Sequence, residues 1–400
     1  MTDTEHHHRD TCAIIGIGAT EFSKTSGRSV AALAAEASLA AIADAGLTAA
    51  DIDGVVRSDY DTVHHSDIGQ WLGLTNLTFW GATGTGGASP CGMIGQAVAA
   101  IMSGQADNVL VYRALNGRSG LRFGKGTAIQ QSGGARRVGG DGTLDEFFLP
   151  FGMMAPGQLY AMYARRHMLE YGSTADDLAS IAMTVRKRAN TNPAAMMADR
   201  TMSLTDYHQS RMIADPLRLF DYCLESDGAC AVVVTAADRA ADSPQPVVLI
   251  RAVSQGTVPE MQGGKVFPAL MRPDLLTNPS RSVARELYRR ARLGPADVDV
   301  AQLYDCFTIT VLLQLEDYGF CATGDGGAFA SSGAIDMAGS IPINTAGGNL
   351  SEAYIHGMNH ILEGVRQMRG QSTSQVPSAQ TCLVTSGAPA MTSAMILRAA

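Results

Sequence analysis

The sequence predicts an α/β protein built twice from one pattern, and three observations predict it. Ala50-Asp51-Ile52-Asp53 and Ala296-Asp297-Val298-Asp299 each follow the same kind of helix and feed a short apolar strand. Each is then followed by a glycine-rich loop, a helix and a second strand. In the first copy these are Gly84 to Ala88, Gly92 to Ser103 and Asn108 to Tyr112; in the second, Ala346 to Asn349, Gly357 to Arg369 and Thr381 to Thr385. Two matched series of helix and strand imply layered sheets and helices. A chain of 400 residues with 46% apolar and 17% charged side chains is large and apolar enough to fill the cores between them.

In chain order, Met1 to Thr11 is polar and carries His6, His7 and His8, which read as a solvated arm with no role. Cys12 to Ile17 reads as a buried strand ending at Gly16-x-Gly18. A dinucleotide fingerprint would need a third glycine where Glu21 stands, so a strand end opening into a loop is preferred. Ser29 to Gly46 is an alanine-rich helix, with Ser29 as N-cap and Gly46 as its stop. Gly117 to about Met202 lacks strand rhythm, is rich in Gly, Met and Arg, and contains a helical stretch from Leu159 to Tyr171. It reads as an inserted loop lobe over one face. Ala229 to Val234 resumes a buried strand. Ser243-Pro-Gln-Pro246 can continue neither helix nor central strand, which places the boundary between halves at 1–245 and 246–400, with Val247 to Val253 opening the second.

A formal charge of -8 and a pI near 5.6, with no basic run, argue against nucleic acid or an anionic membrane as partner and favour a small substrate. Seven scattered cysteines with no Cys-x-x-Cys pair, and no leader-like start, predict reduced thiols in the cytoplasm rather than disulfides or a zinc site. No apolar run reaches membrane-spanning length. The most site-like stretch is Asn344 to Asn359. Its paired glycines bring backbone close to something, and Tyr354 and His356 set two proton-carrying side chains before an amphipathic helix.

Four ordered blocks carry a family resemblance: Asp227 to Val234, Gln302-Leu-Tyr-Asp-Cys-Phe-Thr308, Asn344 to Ser351, and Ser386-Gly-Ala-Pro. Through them the chain resembles the thiolase superfamily, in its sterol-carrier-protein-thiolase branch, over essentially its whole length. The resemblance implies a thiolase fold of two similar halves, each a mixed five-stranded sheet, stacked as α/β/α/β/α. It also implies a homodimer and an acyl-coenzyme A thioester substrate.

Four departures matter more than the matches. The family's nucleophilic cysteine should fall near Gly87 or Ala88 and is absent. Cys91 lies a helical turn further on and reads as a buried thiol. Tyr304 and Tyr354 stand where the family carries catalytic histidines, and Thr385-Ser386-Gly387-Ala388 replaces its terminal cysteine motif. This set is similar to the thiolase-fold aldolases of steroid side-chain degradation. Gln314 to Cys321, Gly326 to Phe329 and Tyr354-Ile-His-Gly also match them.

That resemblance implies retro-aldol cleavage with Tyr304 and Tyr354 as the acid/base pair and His356 as a possible auxiliary, which could equally be a solvated residue of the helix start. Gly87, Ala88, Gly348 and Gly387 would then form oxyanion or substrate-binding positions. Asp305, on alternation, should face away and anchor a loop. The chain itself would carry no metal or other cofactor, coenzyme A being part of the substrate. A separate zinc-ribbon/OB-fold protein is the expected partner. Two alternatives remain at this stage: thiolase chemistry through Cys91, or an inactive subunit that binds lipid acyl-CoA.

Overall fold

A computed structural model describes residues 8–84, 86–120, 149–153, 155–257, 272, 274–389 and 391–400. The strands in chain order are β1 (Cys12–Ala19), β2 (Gly54–Ser58), β3 (Phe79–Thr83), β4 (Asn108–Asn116), β5 (Met212–Ala214), β6 (Leu217–Arg218), β7 (Asp227–Ala236), β8 (Val248–Thr257), β9 (Val300–Gln302), β10 (Thr381–Ala388) and β11 (Met391–Ala399). The described α-helices are α1 (Val30–Asp44), α2 (His65–Leu72), α3 (Ser89–Met102), α4 (Pro156–Tyr171), α5 (Ala175–Ala189), α6 (Leu204–Gln209), α7 (Pro279–Ala291), α8 (Thr308–Asp317), α9 (Gly326–Ser331) and α10 (Met358–Arg369).

Nine strands join in the order β3-β2-β4-β7-β1-β8-β11-β10-β9. The repeat is visible in the pairing. β3, β2 and β4 are parallel, and β7 and β1 then run antiparallel. In the second half Ile343 makes a lone parallel bridge to Ala301 of β9, β9 and β10 are parallel, and β11 and β8 run antiparallel. So the expected fifth strand of the second half is reduced to a single bridge. The two series touch where β1 meets β8 at Ala13–Leu249 and Ile14–Val248.

Helices α3 and α10 pack against strands of both series, with Cys91, Met93, Ile94, Ile361, Leu362 and Val365 in one buried cluster. α1 covers the outer side of the first series, and α7 with the α4 and α5 region covers the second. This gives five layers with α3 and α10 in the middle. α10 is buried on nearly every side because both faces are covered, so its polar face is paired inside the protein, Asn359, His360 and Glu363 being buried with their partners.

Ser29 caps α1 by accepting from the Ala32 amide at 3.1 Å, and the positive φ of Gly46 ends it. The strand end expected at Gly16-x-Gly18 falls at Ala19, and the register against β7 shifts between Ile14 and Gly16. A Cβ at Gly16 would lie 2.1 Å from the Ala41 carbonyl and one at Gly18 2.2 Å from that of Ala37. These glycines let α1 lie directly on a strand that continues to Ala19. The expected lobe from 117 to about 202 lies partly outside the described residues, at 121–148 and 154; what is described of it holds α4 and α5, with turns at 117–120 and 190–202 and no strand.

Candidate active site

Tyr304 sits two residues past β9, where the backbone is fixed on every side. Its amide donates to Thr385 Oγ1 at 2.8 Å, and its carbonyl accepts from Thr310 Oγ1 at 2.9 Å and Gln314 Nε2 at 2.8 Å. The ring slots between two glycines. A Cβ at Gly87 would fall 1.8 Å from the Tyr304 hydroxyl, and one at Gly357 2.9 Å from its Cδ2. Gly87 precedes α3 and Gly357 caps α10, so the phenol lies between the N-terminal ends of the two central helices, where negative charge is favoured.

Tyr354 reaches the same point from the other direction. Gly347 and Gly348 turn the chain with φ of 108° and 54°, and one π-helical turn over Gly348–Glu352 leads into extended backbone. The Tyr354 amide then donates to Ser226 Oγ at 3.0 Å. The two phenol oxygens share a hydrogen bond at 2.9 Å. Burial pushes both phenols well above their ordinary range, and each is further raised by the anionic form of a neighbour. Arg113, which reaches the pair through His356 on the Tyr354 side, pulls Tyr354 the other way.

Both phenols line a cavity of about 1560 Å³, together with His356, Gly86, Gly87, Ala88 and Gly387. The structure thus brings together Tyr304, Tyr354, His356, Gly87, Ala88 and Gly387. Gly387 takes a φ of 98°, and a Cβ there would lie 2.9 Å from that of Ala88, which closes the end of β10 onto the turn before α3. Gly348 is corrected: its open side faces the Asp305 carboxylate, which a Cβ would meet at 2.2 Å, and it serves the turn rather than the cavity. Asp305 anchors that turn as expected, accepting from the amides of Asn349 and Leu350 and from His360 Nε2 at 2.7, 3.2 and 2.9 Å.

The reading of His356 as a solvated helix-start residue is also corrected. It is buried at a φ of 52°, its ring stands edge-on to Tyr354 with centroids 4.9 Å apart, and Arg113 Nη2 donates to its Nδ1 at 2.8 Å. Burial and the guanidinium hold its pKa well below the ordinary imidazole range. Arg113 and its partner Asp61 escaped the sequence reading. The signal was a lone charge inside the otherwise apolar run Val109 to Leu115 of β4.

Cys91 is fully buried between the layers. Its sulfur accepts from Ser386 Oγ at 3.2 Å and donates to the Val384 carbonyl at 3.5 Å, and burial pushes the thiol up to about 12. A thiol so held is a poor nucleophile. Among the described residues no three His, Cys, Asp or Glu side chains converge as metal ligands. One cavity wall is aromatic: Phe307 stacks on Tyr160 at 4.3 Å and meets Tyr222 edge-on at 4.8 Å.

Comparison with known proteins shows the family. Residues 268–398 match the family described as thiolase C-terminal domain-like. The steroid side-chain-cleaving aldolase of Thermomonospora curvata is 44% identical over 97% of this chain and 97% of its own. The chain belongs to the thiolase superfamily, in its aldolase branch. A second aldolase-branch relative, the 17-hydroxy-3-oxo-4-pregnene-20-carboxyl-CoA lyase of Mycobacterium tuberculosis, is 44% identical over 96% of this chain and 98% of its own. The solved Ltp2-ChsH2(DUF35) aldolase superposes with a TM-score of 0.90 at 43% identity, covering 98% of each chain.

Proposed function

We propose that this chain is an acyl-CoA aldolase, a carbon–carbon lyase that cleaves the β-hydroxyacyl-CoA side chain of a 17-hydroxy steroid to a ketosteroid and a short acyl-CoA. The observation that carries this is the Tyr304–Tyr354 hydrogen bond of 2.9 Å, made in the space that a side chain at residue 87 would need. The names of the two relatives support the steroid acyl-CoA substrate. The aromatic wall and the size of the cavity suit a rigid polycycle, and Lys24, Arg118 and Arg200 on the same cavity suit the phosphates of coenzyme A.

Retro-aldol cleavage moves one proton from oxygen to carbon. One phenol of the pair takes the proton of the β-hydroxyl. The bond between the α- and β-carbons breaks, the ketone forms, and its electron pair passes into the thioester as an enolate. The phenol pair then returns a proton to the α-carbon. Because each hydroxyl can accept one proton while giving another, the hydrogen-bonded pair can relay without a free phenolate, which both raised phenols would resist at neutral pH. The turn at Gly87 and Ala88 that leads into α3, with Gly387, faces the enolate oxygen in this reading.

No sulfur nucleophile takes part, and no metal or further cofactor is required of this chain. A homodimer working in the cytoplasm with a zinc-ribbon/OB-fold partner is part of the same reading. The partner is supported by the two-component name of the solved aldolase. The test is product analysis with a 17-hydroxy steroid acyl-CoA and the partner co-expressed. Tyr304→Phe and Tyr354→Phe should each keep the fold and lose about a hundredfold or more of the cleavage rate. Near-normal rates in both would refute the mechanism.

A further inference from the structure

Behind the phenols lies a row of buried charge that the cleavage reaction as written does not use. Arg113 is buried in β4, where one guanidinium nitrogen pairs with the Asp61 carboxylate and the other donates to His356 Nδ1. Asp61 is buried too, and its oxygens also accept from the amides of Ala114 and Ser58 at 3.1 and 2.9 Å. An ion pair taken fully out of water is costly, and replacing it with apolar side chains is often neutral for stability. The next residue in the row, His356, holds a left-handed backbone that a non-glycine side chain adopts only under constraint. Two costs at one place, directly behind a candidate acid/base pair, point to function.

The chemistry of the contact is directional. A guanidinium has no lone pair to offer, so His356 Nδ1 must be the acceptor and its single proton must sit on Nε2. The imidazole is thereby fixed as one tautomer and one orientation, edge-on to Tyr354. We propose that Arg113, backed by Asp61, is a positioning residue for the proton transfer: it locks His356 neutral against Tyr354 and supplies the buried positive charge that favours negative charge on the phenol pair. This rests on the aldolase reading above.

Among the described groups facing His356 are Arg113 on β4, Tyr354 on its own loop, and Tyr60, whose ring lies with it beside Gly86. Asp61 and Asp59 lie behind Arg113, and Tyr304 lies behind Tyr354. Asp61 offsets part of the guanidinium charge but is spent on three donors, whereas His356 presents no counter-charge. The field of Arg113 is therefore felt on the His356 side.

Arg113→Met and Arg113→Lys, with Asp61→Asn as the variant that keeps the shape of the row, test this with two readouts. The first is the pH profile of kcat and KM for steroid acyl-CoA cleavage. Arg113→Met should lower kcat by about tenfold or more with KM within about threefold, and should move the acidic limb of the profile up by about one pH unit. The sign follows because without the cation His356 takes up a proton at a higher pH, so the neutral imidazole against Tyr354 is lost over more of the acidic range. Arg113→Lys should restore part of the limb position, since it keeps the charge, but not the full rate, since it loses the fork.

The second readout is the nitrogen spectrum of selectively labelled histidine, which needs no substrate. In the intact chain His356 should remain the Nε2–H tautomer from about pH 5.5 to about pH 8.5, and in Arg113→Met it should titrate with a pKa moved toward about 6.5. A His356 that titrates ordinarily in the wild type, or that keeps the same neutral tautomer in both Arg113→Met and Asp61→Asn, overturns the proposal. So does an unchanged pH profile in the folded variants. If no steroid thioester is cleaved by the wild type, the aldolase reading fails, while the spectrum still decides the lock on His356.

Discussion

Tyr304 shows how much one position depends on another. Its hydroxyl occupies the space that any side chain at residue 87 would enter, so a tyrosine here and a nucleophilic cysteine there are sterically exclusive. Gly87→Ala should therefore displace the phenol and reduce cleavage by about a hundredfold or more, while chemical denaturation finds the fold intact. Wild-type cleavage in that variant would mean that Tyr304 is free to move without cost. Cys91→Ala should leave turnover within about twofold, and intact-protein mass spectrometry should find no acyl adduct on the wild type, because a thiol pushed up to about 12 is almost wholly protonated at neutral pH. The tyrosine pair could be found in the sequence because each falls in a block where the resemblance to thiolases implies a histidine. Arg113, Asp61 and Gly357 could not be found that way, since their meaning depends on neighbours more than fifty positions away in the chain. The lone arginine in an apolar strand was the one local hint.

At the level of elements, the site is two helix starts and two turns held on one rigid frame. Most helices and strands could be read from apolar spacing, caps and glycine stops. The readings that failed did so for tertiary reasons. Gly16 and Gly18 read only as a strand end, yet they also mark the contact of a helix lying directly on the strand, beside its register shift at Ile14–Gly16. Gly348 looks like an oxyanion glycine, yet it is open only to Asp305. The π-helical turn over Gly348–Glu352 has no spacing signature at all. Asp305 holds that turn through two amides and His360, so Asp305→Ala leaves three donors unpaired in the interior. It should cost about 3 kcal/mol or more in urea unfolding and lower cleavage with it. A loss below about 0.5 kcal/mol would show that the turn is held by packing alone.

For the whole molecule, duplication does more than repeat a pattern. It brings the N-terminal ends of α3 and α10, one from each copy, to the same phenol, and this was implicit in the repeat but invisible without the layering. The same buried middle layer makes stability depend on pH. Glu352, between Asn192, Asn359 and Arg366, is pushed up to about 7 by burial, against 4.5 for the free side chain. From pH 4.5 to about 7 the unfolded chain has released this proton while the folded chain keeps it, so its contribution to stability falls as pH rises through that window. Glu352→Gln should remove this downward slope, making the variant on the order of 2 kcal/mol less sensitive to the change in denaturant unfolding.

The account is tested most directly by cleaving a 17-hydroxy steroid acyl-CoA in heavy water, with the partner present and no free coenzyme A. It predicts a 17-ketosteroid and a short acyl-CoA carrying one deuterium at the α-carbon, formed by the wild type and by Cys91→Ala but not by Tyr304→Phe or Tyr354→Phe. Cleavage that requires free coenzyme A, is lost in Cys91→Ala and survives in both phenylalanine variants would contradict it.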